Sequence, residues 1–175
     1  MKLFGTIVLW MLTSFFSDVK AQENISFFRS HFEKASSEAD FKQLLDTEIS
    51  DSSAFNVNVI KSYKSVCHSA MAQFVFSPYT KYKMFHEGKK QLEIAILTQA
   101  SVENIFLRLI VQLNTPSFLG YSSDIESDLK FLQTNLEMAP VPLATKRFIV
   151  KTIIETDNHN YALESLSLLN IKEII

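Results

Sequence analysis

The stretch "SSDIESDLKFLQTNLEMAPVP", residues 122–142, decides the class of fold. Ile125, Leu129, Leu132 and Leu136 recur at offsets of 4, 7 and 11. That spacing lines up on one stripe of a 3.6-residue helix and would scatter over both faces of a strand. Ser122 or Ser123 stands where a helix cap is expected, and "APVP" stops the segment.

Working outward, "VQLNTPSFLGY", residues 111–121, has the composition of a corner between helices. Pro116 closes the preceding helix, and Gly120 offers a backbone position able to take positive φ. Phe118, Leu119 and Tyr121 are placed to pin the corner to its neighbours. The helix before it, 101–114, has Ser101 as cap and Ile105, Leu109, Ile110 and Leu113 as its apolar side. Before that, 80–98 carries Met84, Phe85, Gly88, Leu92, Ala95 and Ile96, leaving Lys81, Lys83, Lys89 and Lys90 for solvent.

The segment 53–76, capped by Ser52 or Ser53, repeats Ile60, Tyr63, Cys67, Ala70, Met71 and Phe74 at helical spacing and ends before Pro78. Nearer the N-terminus, Phe28, Phe32 and Ala35 precede Phe41, Leu44, Leu45 and Ile49. Ser37 and Asp40 form a capping-box pattern, so two short helices or one bent helix are expected there. Two last helices are read at 143–156 and 159–170, with Asp157 or Asn158 as the cap between them.

The whole therefore reads as all-α, about seven short helices. Glycine scarcity agrees: of three glycines, only Gly88 and Gly120 lie beyond residue 21, too few for the turns of a sheet protein. Ser77-Pro78 and Thr115-Pro116 close helices 38 residues apart, and Phe85 and Leu92 have counterparts 40 residues on in Ile125 and Leu132. A period in this range suggests antiparallel helical pairs, tetratricopeptide-like in arrangement; an irregular helical bundle is the alternative.

Residues 1–21, "MKLFGTIVLWMLTSFFSDVKA", combine Lys2, an uncharged run from Leu3 to Phe16 and a small residue at Ala21. They read as an export signal cleaved after Ala21, which leaves 22–175 as a single helical domain. The run is short for a membrane span, so no stable membrane insertion is expected after cleavage. Periplasm is the expected location, with the extracellular space or outer-membrane association as alternatives. The chain holds 17 basic and 19 acidic residues, a mild balance that gives no reason to expect nucleic acid. Cys67 is the sole cysteine, so no intrachain disulfide can form, and its helical spacing with Tyr63, Ala70 and Phe74 reads as burial.

Residues 77–128 also resemble a family of small exported helical proteins of Bacteroidetes without an assigned activity. The resemblance rests on "SPYTKYKMFHEGKKQLEIAI", "VENIFLRLIVQLNTPSFLGY" and "DIESDLK". Among its positions are Pro78, Tyr79, Lys81, Phe85, Gly88, Lys89, Glu93, Arg108, Gln112, Asn114, Pro116, Gly120, Tyr121 and Asp128. Gly88 through Ile96 is similar to the second helix of a tetratricopeptide repeat, where a small residue lets paired helices approach. "LTQAS" replaces that repeat's usual Asp-Pro-Asn corner, and Ile105 stands where an Arg is usual. The resemblance implies a fold and a compartment, not a substrate.

No residue pattern assembles a reactive centre. His31, His68, His86 and His159 lack metal-ligand spacing, so no metal is expected. Adjacent Cys67 and His68 point about 100° apart on a helix and cannot act as a nucleophile and base pair. Two isolated glycines cannot form a phosphate loop, and no cofactor is expected. Asp124, Glu126 and Asp128 read as favourable charge at a helix N-terminus.

Lysines from Lys61 to Lys90 face only Glu87 in that interval; the readings are a solvated helix face or an anionic partner. Arg108, flanked by apolar residues, needs an acceptor from another helix, with Glu93 and Asp128 the candidates. The expected function is a non-enzymatic protein-interaction or scaffold module whose partner is another envelope or exported protein. Its candidate surface comprises Tyr79, Lys81, Lys89, Arg108, Asn114, Phe118 and Tyr121. The alternatives are a helical enzyme with dispersed catalytic residues and a carrier of a small apolar ligand.

Overall fold

The computed structural model describes residues 24–156. The leader read at 1–21 and the last helix read at 159–170, with its cap and His159, lie outside the described residues. Within them the protein is all-α: seven α-helices, two short 3₁₀ turns and no strand. The helices are α1 (24–32), α2 (Glu38–Asp46), α3 (Ala54–Ala70), α4 (Pro78–Thr98), α5 (Val102–Asn114), α6 (Ile125–Asn135) and α7 (Leu143–Thr156). None of the described helices is long and apolar enough to cross a membrane.

The helix starts follow from local chemistry. Ser37 and Asp40 form a full capping box at α2, which separates it from α1 as two helices. Ser53, Ser77 and Ser101 each accept a hydrogen bond from the backbone N–H three residues on, at α3, α4 and α5. Pro78 does more than stop the preceding segment. It is the first residue of α4, two residues before the expected start, because its fixed φ suits a first turn whose N–H groups lack intrahelical partners anyway.

Two expectations are corrected. The cap of α6 is Asp124, with no side-chain cap bond, rather than Ser122 or Ser123. Ser123 Oγ instead donates to Asp124 Oδ2 at 2.9 Å, and α6 begins only where Asp128 N reaches Asp124 O at 2.8 Å. The segment 53–76 is not one continuous helix: after Ala70 it tightens into the 3₁₀ turn Met71–Phe74. Gly120 has φ +59°, the left-handed conformation the corner requires.

The core centres on α5, which packs on α3, α4, α6 and α7. Val102, Ile105, Phe106, Leu107 and Leu109 of α5 are all buried, as befits a helix covered nearly all round. Val59, Ile60, Tyr63 and Cys67 of α3, Leu129, Leu132 and Leu136 near α6, and Ile149, Val150 and Ile153 of α7 complete it. Each fully buried Leu or Ile contributes roughly 1.5–3 kcal/mol relative to exposure.

The most extensive helix contact is between α3 and α4. Near the start of α3, Asn58 Nδ2 donates to Ala95 O (2.9 Å) and Gln99 O (3.1 Å) at the end of α4. Farther along, His68 Nε2 lies 3.2 Å from Glu87 Oε2 in the first half of α4. Gly88 sits at the tightest point. A Cβ there would stand 2.5 Å from Ser65 O and 2.9 Å from Ser69 N, and would strike Ser69 Oγ.

Candidate functional site

The corner after α5 gathers charged residues from three helices. Arg108 of α5 donates from Nε to Asp128 Oδ2 (2.9 Å) and from Nη2 to Asp128 Oδ1 (2.5 Å), a two-point grip on an α6 carboxylate. Its Nη1 donates to Glu93 Oε2 of α4 at 3.1 Å. Tyr121, from the corner itself, donates its hydroxyl to Glu93 Oε1 at 2.5 Å. Gln112 Nε2 reaches Asp128 Oδ2 at 3.3 Å. Lys89 Nζ lies 4.2 Å from the centre of the Tyr121 ring, and the ring of Phe85 meets Tyr121 edge-on.

Arg108 thus takes both of the acceptors its apolar setting demanded. Hydrogen bonding to Asp128, opposed by burial and helped by the charges of Asp128 and Glu93, holds its guanidinium charged beyond its usual range. Burial, reinforced by the Glu93 carboxylate, pushes the Tyr121 hydroxyl well above its usual value. Every charged member is held by another member, so the cluster works as a lock among α4, α5, α6 and the corner. Asp128 is accordingly more than a helix-terminal charge.

A second buried cluster ties α1, α3 and α5. Glu103, fully buried, accepts from Arg29 Nε (2.8 Å), Arg29 Nη2 (2.7 Å) and the Tyr63 hydroxyl (2.9 Å). Burial and the adjacent carboxylate raise the Tyr63 hydroxyl far above its usual value. Sequence reading missed this cluster because Glu103 also fits the first turn of a helix, where acids are common. The available signal was its spacing of 3, 4 and 7 from Phe106, Leu107 and Ile110, which puts an acid on the apolar side.

The seven residues proposed as an interaction surface do not form one patch. Arg108 and Tyr121 are corrected: both belong to the interior lock, and Tyr121 is only 4% exposed. Its ring packs under Lys89 and its hydroxyl is satisfied by Glu93, so it cannot line an open groove. Lys89 is half-buried on that ring. Asn114 is exposed but turns its amide back to Ile110 O at 2.7 Å. Phe118, at the corner, is 84% exposed. Tyr79 and Lys81 are exposed on α4, where Tyr79 is joined by Tyr82, Ile94 and Leu97, and by Phe76 just before the helix.

Tyr82, Ile94 and Leu97 were missed because α4 carries apolar residues on two sides, and only packing shows which side is covered. Among the lysines, Lys83 pairs loosely with Glu87 at 3.8 Å, and Lys64 donates to Leu45 O at 2.8 Å rather than facing solvent freely. Cys67 is buried, and that burial pushes its thiol up to about 12. His31 stacks on Phe27, and His86 lies against Tyr82 and Phe85. Among the described residues no three His, Cys, Asp or Glu side chains are placed to hold a metal ion.

Among the described residues, the fold and its surfaces define an all-α protein built around α5, with the outer face of α4 left exposed. No protein-family model, curated protein or solved structure matches the chain.

Proposed function

We propose that this protein is an exported, non-enzymatic helical module that acts by presenting a surface to another envelope or exported protein. One observation carries the reading: Tyr79, Tyr82, Ile94 and Leu97 stand exposed along the side of α4 turned away from the core. Exposed aromatic and aliphatic side chains grouped on one face mark sites of association. The leader-like composition of residues 1–21 and the resemblance to small exported helical proteins of Bacteroidetes support the compartment, with the periplasm as the location. The contacts of Asn58 with the end of α4 and of His68 with its first half support helical-hairpin pairing in the manner of tetratricopeptide helices.

The test is an affinity pull-down from envelope extract with the wild-type chain and with Tyr79→Ser/Leu97→Ser, alongside native mass determination. A protein retained by the wild type and lost from the variant, at unchanged thermal stability, is the expected result. Equal retention by both, or a bound metabolite in place of a protein, would overturn the proposal. N-terminal sequencing of the mature protein tests cleavage after Ala21.

A further inference from the structure

We draw no further inference here: the strongest candidate, the exposed apolar stripe of Tyr79, Tyr82, Ile94 and Leu97 on the outer face of α4, belongs to the surface already proposed, and nothing in the structure shows what covers it.

Discussion

Arg108 and Asp128, 20 residues apart on α5 and α6, are joined by two parallel hydrogen bonds of 2.9 and 2.5 Å, and Asp128 is almost wholly buried. The pair fixes how the corner at 115–124 folds back, because it ties the helix entering the corner to the helix leaving it. Glu93 extends the tie to α4 and, through Tyr121, to the corner itself.

Breaking that pair from one side should cost more than removing it. Arg108→Met leaves a buried carboxylate unpaired and should lower stability by about 3–5 kcal/mol. Adding Asp128→Leu removes the stranded charge and should recover most of the loss. Urea unfolding of the two variants checks this, and a double variant no more stable than the single one would contradict it.

The Glu103 cluster should show a graded response. Glu103→Ala strands the partly buried Arg29 and the buried Tyr63 hydroxyl together, for a loss of about 3–5 kcal/mol. Tyr63→Phe removes one donor while Arg29 still satisfies Glu103, for about 1 kcal/mol. Thermal unfolding should rank the alanine variant well below the phenylalanine one; the reverse order would show that Tyr63 rather than the ion pair holds α1 in place.

Gly88→Ala sets two effects against each other. Alanine is about 1 kcal/mol better than glycine in a helix interior, while forcing a methyl into a packed contact costs typically about 1–3 kcal/mol. Steric cost should win here, because the Ser65 oxygen that the methyl meets is α3 backbone and cannot swing aside. The variant should therefore melt below wild type. An unchanged or raised melting temperature would show that α3 and α4 can separate without penalty.

Acid should loosen the start of α2. Asp40 accepts from Ser36 N (3.1 Å), Ser37 N (2.9 Å) and Ser37 Oγ (2.8 Å), which holds its carboxyl below the usual value. A depressed folded-state pKa means the stabilisation is present above the unfolded value of about 3.9 and is lost as pH falls through the folded one. Side-chain NMR should place the Asp40 midpoint below that of a free aspartate. The same titration in Ser37→Ala, which loses one of the three donors, should move the midpoint upward.

Much of the helical content was legible because capping residues and apolar spacing act over three or four residues. Ser37, Ser53 and Ser101 sit where helix starts require an acceptor, and the α5 bounds and the α7 start follow from Ser101, Pro116 and the two prolines of "APVP"; Ser77 caps α4 as well, but the start of that helix is read two residues late. Ser122 and Ser123 misled because several acceptors compete within a few residues, and the turn through 123–124 decides among them. Arg108 announced its need for a partner by its apolar neighbours, yet the choice of both Glu93 and Asp128 required three helices to meet. Tyr121 looked like a surface aromatic for the same reason: a corner residue shows no periodicity that says whether it points in or out.

The sequence by itself determined that the chain is helical, where most helices start and stop, and that Gly120 turns a corner. These are short-range consequences of backbone hydrogen bonding, steric freedom and the 3.6-residue repeat. Only the tertiary structure decided that Tyr121 and Arg108 belong to an interior lock, that Glu103 satisfies Arg29 across 74 residues, and which side of α4 is exposed among the described residues. Burial depends on what packs against a helix, and for α4, apolar on both sides, that is settled by its neighbours and not by its own residues.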